Sequence, residues 1–502
     1  MADPTKPLSA GPPDGGPSAG LGSTVVKGAV WTSLANVARI ASAVLIIPIL
    51  SRFLDLADFG IMQIAMPIVL FLMIFNDVGL GPALVRAENP SRAMWSSVLW
   101  TNLGLGLIMT CGLFAIAGPL ADFFREPEVE PITQALSIAL ILNCLSIVPG
   151  ARLQRDFKFK QMTIVEVVSI SCGIAAAVVT AIQGAGAWAL VYQQVAMFFV
   201  KTIMLWGFAR NTAVAFEYRW SEIANVFGFS SNLLGTRFIT FLANNVPNLL
   251  IGRIISVTAL GAYSIAVRIM IVPVQIFAQG LTSVLLPTMA QFHTDTDRMR
   301  AACLRTYRLT ALVTFPALAG IAALAEPFVL FALGESMAAA GPILALIAPL
   351  GAAKALLSSQ SAMYMALGRA DVLFKWATIE AVLISIGFAI GIQFGLIAAV
   401  QIYVVVLLLV ALPSMKALLR LVDGTLVQLG RALWAPLVVS LAMTFVLRQA
   451  WQMDLAFMPA DLLVRLLIFV VAGVVFYGIG LLAFDRKAFG EFRTIAAAVM
   501  SK

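Results

Sequence analysis

The sequence predicts an all-α polytopic membrane protein of about fourteen transmembrane helices. It places them in two pseudo-symmetric six-helix lobes with two extra helices at the C-terminal end. Hydrophobic residues are 61% of the 502 residues and charged residues only 12%, whereas soluble domains average about 45–50% apolar and about 25% charged. The apolar residues gather into runs of roughly 20, the length that crosses a bilayer core. Two stretches in the first half of the chain recur, spacing for spacing, in the second.

The helices are expected at 28–51, 60–84, 95–121, 132–150, 161–182, 188–208, 226–252, 259–290, 308–325, 341–366, 374–393, 396–415, 431–449 and 462–484. Each is an apolar run ended by a turn signal. Gly184-Ala185-Gly186 separates the fifth from the sixth, Phe394-Gly395 the eleventh from the twelfth, and the Pro/acid-rich stretch 125–131 the third from the fourth. Residues 1–24, rich in Pro, Gly and Ser, have no apolar h-region and read as a disordered cytoplasmic tail rather than a signal peptide. The first lobe then runs over 25–220, the second over 221–416, and the appended helices with a cytoplasmic tail over 417–502. No loop between helices is long enough for an extramembrane catalytic domain.

Charge sets the orientation. With the N-terminus in the cytoplasm, twenty-three of the 33 Lys+Arg fall on that side, four (Arg52, Arg125, Arg253, Arg448) on the other, and six inside helices. That asymmetry predicts both termini inside. It also accounts for the net charge of +8 without a nucleic-acid partner. One His and four Cys without CxxC spacing give no support to a His triad, a metal site or a disulfide framework. No cofactor is expected.

The repeat is read from two spacings. Arg52 to Gly60 after the first helix matches Arg253 to Gly261 after the seventh, eight residues in each case. Arg155 to Glu166 entering the fifth helix matches Arg369 to Glu380 entering the eleventh, eleven residues in each case. Because six helices return the chain to its starting side, the second lobe enters the membrane as the first does. The lobes are then related by an axis along the membrane normal, with a substrate path between them.

Charge inside a helix costs about 2.5–3.5 kcal/mol on insertion scales unless it faces protein or water. Arg39 lies roughly 17 Å into the first helix at 1.5 Å per residue, and Arg237 lies at a similar depth in its repeat partner. Arg268 and Lys354 are also too deep to reach the interface. These four are expected to make a cationic, water-filled cavity matched to an anionic substrate; the bland alternative is structural pairing. Asn102, Asn244, Asn245 and Asn248 are candidates to hydrogen-bond sugar hydroxyls, or equally to tie helices together. Asp77 is a possible ion-pair partner for Arg39 or a coupling residue. Glu166 and Glu380 suit the positive ends of their helices. Lys201 and Arg465 read as interfacial anchors. The basic loop Arg152–Lys160 reads as a topology determinant or a lipid-phosphate contact.

The stretches Ser51-Arg-Phe-Leu-Asp-Leu-Ala-Asp-Phe-Gly60, Phe75-Asn-Asp-Val-Gly-Leu-Gly-Pro-Ala-Leu-Val-Arg86 and Leu153-Gln-Arg-Asp-Phe-Lys-Phe-Lys160 resemble the polysaccharide-transport family of Wzx-type flippases. That family sits in the multidrug/oligosaccharidyl-lipid/polysaccharide (MOP) exporter superfamily. The resemblance covers residues 25–420. It implies a V-shaped bundle of two six-helix lobes in the bacterial inner membrane. It also implies translocation of undecaprenyl-diphosphate-linked oligosaccharide units from the cytoplasmic to the periplasmic leaflet by alternating access, for exopolysaccharide, capsule or O-antigen assembly. The implied partners are the lipid-linked oligosaccharide, membrane lipids, and the polymerase and chain-length or export proteins of the same pathway. Basic and polar cavity residues belong to the pattern, and Arg39, Arg237, Arg268 and Lys354 fit it by depth.

The nearest alternative is a drug or cation antiporter of the same superfamily. Such an exporter is expected to carry carboxylates in its first helix, and here that helix has Arg39 and no acid between Gly28 and Leu50. A membrane polymerase or glycosyltransferase needs a large outer loop or a nucleotide-sugar site, for which the sequence shows nothing. The protein is therefore expected not to be an enzyme.

Overall fold

A computed structural model describes residues 19–76, 80–87, 89–210, 214–221, 223, 241, 245–290, 295–453, 459, 461–486 and 489–491. Among these the regular secondary structure is all helical. The first half holds α1 (Ala19–Leu50), α2 (Leu56–Asn76), the short α3 (Leu80–Arg86), α4 (Arg92–Phe124), α5 (Val129–Arg155), α6 (Phe159–Ile182) and α7 (Trp188–Phe208). The second holds α8 (Val257–Ala290), α9 (Thr296–Ala323), the short α10 (Ala325–Leu333), α11 (Ala340–Ala366), α12 (Ala370–Gly391) and α13 (Leu396–Arg420), followed by α14 (Leu426–Gln452) and α15 (Leu462–Phe484). Thirteen of the described helices are long and apolar enough to cross a membrane, so this is a multi-pass membrane protein. The expected helix at 226–252 falls largely outside the described residues. Its end is present: 245–250 is helical and passes into a π-helical turn, Ile251–Ile255.

Several boundaries differ from the sequence reading. Helix α1 starts at Ala19, within the expected tail. The second expected helix is two elements, α2 and α3, and the residues between them, 77–79, are not described. Helix α9 begins at Thr296 and carries Arg298, Arg300 and Arg305 on its first turns, where a loop was expected. Hydropathy marks the apolar stretch only, whereas caps mark the helix end. Asp295 accepts from the Arg298 amide, and Thr425 with Gln428 forms a reciprocal capping box that starts α14. At the other end of α4, Arg125 adopts a left-handed conformation with φ 58° and stops the helix.

Helices pack closely where small residues let backbones approach, the usual solution inside a membrane. Gly173 of α6 faces the Gln193 carbonyl of α7, 2.8 Å from where a Cβ would stand. Helix α1 leans on α6, with Gly28 beneath the Phe159 ring and Thr163 Oγ donating to the Trp31 carbonyl at 2.9 Å. Otherwise α1 shows its apolar side chains, such as Val37 and Leu45, which suits a lipid-facing helix. In the second half, α11 is the most enclosed helix. Polar contacts hold it: Thr310 and Ser359 share a hydrogen bond of 3.0 Å, and Gln360 donates to Ser414 Oγ at 2.6 Å. The appended pair α14 and α15 docks on α9 through Val439, Met443, Phe469 and Tyr477. Tyr477 donates to the Leu312 carbonyl at 3.0 Å, and Arg308 of α9 pairs with Asp485 at 2.8 Å and Glu491 at 3.3 Å.

The two halves meet where α2 crosses α8. A Cβ built on Gly60 would lie 2.0 Å from the Val257 carbonyl oxygen, and one built on Gly261 would lie 1.8 Å from the Leu56 carbonyl oxygen. Each glycine thus presses on the residue four positions before the other. The contact is reciprocal, as a two-fold relation between the matched Arg-to-Gly stretches requires.

Candidate functional site

Along the same two helices, next to the glycine crossing, a cavity of about 740 Å³ lies between the halves. Phe59, Met62, Gln63 and Met66 of α2 line one wall, and Tyr263, Ser264, Val267 and Arg268 of α8 face them. Helices α1, α6, α7, α11 and α13 contribute the rest, with Asn245 and Asn248 from the segment preceding the π-helical turn. Arg268 lies seven residues beyond Gly261, roughly 10 Å deeper at 1.5 Å per residue. The end of the cavity nearest Gly60 and Gly261 is therefore closed by backbone against backbone.

Charged lining residues are few and unbalanced. Among the described residues the cavity wall has Arg39, Arg268 and Lys354 against one carboxylate, Glu166. Arg39 and Arg268 have exposed side chains, and Lys354 is half-buried with its ammonium 5.5 Å from the centre of the Tyr403 ring. An Arg here presents a planar fork of donors to phosphate or carboxylate oxygens, and a Lys a point charge. The apolar patches between them suit sugar faces and hydrocarbon. The volume lies within the about 300–1,000 Å³ of small-molecule sites.

Of the residues singled out by sequence, Arg39, Arg268, Lys354, Asn245 and Asn248 come together in this one cavity. The two amides belong to one chain of hydrogen bonds: Asn245 donates to the Phe241 carbonyl at 2.8 Å, and Asn248 to Asn245 Oδ1 at 3.3 Å. Arg237, Asn244 and Asp77 lie outside the described residues. Asn102 is fully buried in α4, without a polar partner among the described residues, and is not in the wall of the central cavity.

Among the described residues Arg39 pairs with Glu166. Arg39 Nη2 and Nε both reach Glu166 Oε1, at 2.7 and 3.0 Å. The other carboxylate oxygen lies 3.5 Å from Lys201 Nζ. So Lys201 is not a free interfacial anchor, and Glu166 does more than complement a helix dipole. Helix α6 carries Glu166 to face α1 on one side and α7 on the other, which no spacing within one helix foretells. One signal was present in the sequence: Glu166 and Glu380 occupy matched positions in the repeat. Glu380 lines a smaller cavity of about 430 Å³ together with Lys354 and Tyr403.

In the basic loop, Arg155 donates to the Leu84 carbonyl at 3.3 Å and to that of Ala87. Arg152 and Lys158 both lie 3.3 Å from Asp156. The Arg155 contacts tie the end of α5 to the end of α3.

The fold is that of the MOP exporters. The solved lipid II flippase MurJ, in an inward closed conformation, matches with a TM-score of 0.72 over 91% of this chain and 99% of its own, at 14% identity. A multidrug resistance MATE transporter of the MOP superfamily in an inward-facing conformation matches with a TM-score of 0.61 over 77% and 96%, at 16% identity. Within that fold the sequence is more particular. Residues 49–342 match the model of the polysaccharide biosynthesis protein family, and the chain belongs to that family. It is 28% identical over 479 residues to the succinoglycan biosynthesis transport protein ExoT of Rhizobium meliloti (strain 1021), covering 95% of this chain and 96% of that one. It is 23% identical over 424 residues to the lipopolysaccharide biosynthesis protein WzxC of Escherichia coli (strain K12), covering 84% and 86%. The resemblance drawn from the three motifs is thereby borne out.

Proposed function

We propose that the protein is a flippase. It moves polyprenyl-diphosphate-linked oligosaccharide units from the cytoplasmic to the periplasmic leaflet of the bacterial inner membrane, with both termini in the cytoplasm. The observation that carries this reading is the convergence of Arg39, Arg268 and Lys354 on one cavity sealed at the Gly60/Gly261 end. By the charge asymmetry of the loops, that end faces away from the cytoplasm, so the cavity is placed to receive substrate from the cytoplasmic leaflet. The diphosphate and sugars occupy the cavity, and the polyprenyl chain stays in lipid. No bond is made or broken: the protein lowers the cost of carrying charge and hydroxyls through hydrocarbon, which is several kcal/mol for a single charged group. The likeness to ExoT, a succinoglycan biosynthesis transport protein, and to MurJ, a lipid II flippase, supports it. The excess of cations over carboxylates in the wall argues against a cation exporter. Polymerase and export proteins of the same pathway are the partners this reading expects.

The test is leaflet transfer in proteoliposomes. An undecaprenyl-diphosphate-linked oligosaccharide is supplied, and the fraction captured by an external lectin is followed with time. Arg268→Ala and Lys354→Ala are expected to slow transfer at least about tenfold, the effect of losing one charge-assisted contact. Full-rate transfer by both variants, correctly inserted, would refute the reading.

A further inference from the structure

Glu166 is placed oddly for a protein that captures an anion. It is the one carboxylate in the wall of the central cavity among the described residues, and it sits on one of the three cations that line that wall. Its two oxygens are divided, Oε1 to Arg39 and Oε2 to Lys201. The geometry is that of an anion held between two cations. The carboxyl is largely covered, whereas Arg39 remains 59% exposed, so the fork of the guanidinium still faces water on the side away from Glu166.

The position of this cluster adds a second fact. Next to the central cavity, the first half holds a side cavity of about 630 Å³ lined by polar groups including Asn143, Ser146 and Gln154. Arg39, Leu70 and Glu166 line both cavities, and Lys201 faces the side cavity only. The ion cluster is therefore the wall between them. The second half repeats the plan, since Lys354 and Tyr403 line both the central cavity and the cavity that holds Glu380.

We propose that Glu166 is a built-in counter-ion that the substrate's phosphate displaces, so that this one carboxylate sets the affinity and selectivity of the cavity for anions. In the empty protein it occupies Arg39 and Lys201. A diphosphate, carrying more charge and more acceptor oxygens than a carboxylate, takes those donors. Glu166 then loses its tie to α1, and the wall between the central and side cavities opens for the saccharide. Anions with a single carboxylate gain little by the exchange, which makes the device a filter. Binding of substrate also becomes a movement of α1 relative to α6 and α7, the elements the pair now holds. This inference rests on the reading of the cavity as a lipid-diphosphate site, and it goes further by predicting that removing a polar wall residue improves binding.

The experiment uses the full chain in nanodiscs, with inorganic pyrophosphate as probe in calorimetric titrations at fixed salt. Glu166→Gln is expected to bind pyrophosphate about fivefold or more tightly than the wild type, the scale of a released contact to an ionised group. Glu166→Asp, whose shorter arm loosens the Arg39 contact, is expected to lie between them. Arg39→Gln with Glu166→Gln is expected to fall to the wild-type affinity or below. A merely structural carboxylate gives the opposite order, since losing it weakens the site. Equal or weaker binding by both Glu166→Gln and Glu166→Asp overturns the proposal, and should Glu166→Gln not insert, Glu166→Asp decides alone. Undecaprenyl diphosphate in the bilayer is expected to compete with pyrophosphate more strongly in Glu166→Gln than in the wild type; equal competition counts against displacement. If the wild type binds and Arg268→Ala abolishes binding while Glu166 variants change nothing, only the counter-ion role falls. If no form binds either phosphate, the diphosphate reading of the cavity falls with it.

Discussion

Replacing Gly261 with alanine tests the closure of the cavity directly. Its Cβ would stand 1.8 Å from the Leu56 carbonyl oxygen and 3.2 Å from the Gly60 amide nitrogen. A carbon–oxygen contact needs about 3.3 Å, so α2 and α8 must part by roughly 1.5 Å for the alanine to fit. The obstacle is backbone on both sides, so no side-chain rotation relieves it. Overpacking of this kind costs about 1–3 kcal/mol, and here the cost falls only on the state in which the helices touch. The equilibrium between closed and parted halves should move about 5- to 150-fold toward the parted state. Spin labels at Gln183→Cys and Gln393→Cys, exposed turns on the two halves, in a background without the four native cysteines, report the separation by pulsed dipolar spectroscopy. The expected result is a longer-distance population in Gly261→Ala, with slowed transport and protein level near normal. Gly60→Ala should do the same, because its Cβ would meet the Val257 carbonyl oxygen at 2.0 Å. Unchanged distances and full transport in both variants would refute the idea that this crossing seals the cavity.

Arg39→Lys should retain part of the transport and Arg39→Ala should lose most of it, read in the lectin assay, since the charge survives in the first without the fork. Arg39→Ala leaves Glu166 with Lys201 as its partner, so the amount of protein in the membrane should stay near normal, whereas Arg39→Ala/Glu166→Ala, which leaves Lys201 without that carboxylate, should lower it. Arg308→Ala removes the ion pairs to Asp485 and Glu491 that hold α9 to the chain after α15; a loss of about 1–3 kcal/mol is expected, read as a lower midpoint of thermal unfolding in detergent. Reporter fusions after Lys502 and within 126–130 should report opposite sides of the membrane; the same side for both would overturn the orientation.

Most of the helices were legible in the sequence because a bilayer turns membrane crossing into a local property. A run of apolar residues of sufficient length is a span whatever it later packs against, and the spans at 188–208 and 462–484 were placed to the residue. The ends of α1 and α9 were less legible, since hydropathy is silent on polar helical turns such as those at Arg298 and Arg300. The equal Arg-to-Gly spacings were visible too, and they mark the two glycines at which the halves touch. Depth along a helix was enough to single out Arg39, Arg268 and Lys354, because a deep charge must face something other than lipid.

What depth does not contain is direction and partner. Asn102 has the same chemistry as Asn245 and Asn248 in the sequence, yet it is buried in α4 while they face the cavity, a difference set by how the helices are rotated. Glu166 meets Arg39 across 127 residues of chain and meets Lys201 from another helix again. Only the packing of α1, α6 and α7 around one point makes these three a single electrostatic unit. The sequence by itself determined that the chain crosses a membrane many times, where most of the spans lie, and which residues are costly in lipid, since each follows from transfer free energies along a single segment. The tertiary structure alone decided which of those residues share a cavity and which carboxylate answers which cation, because interactions between side chains depend on distances that separate helices set together.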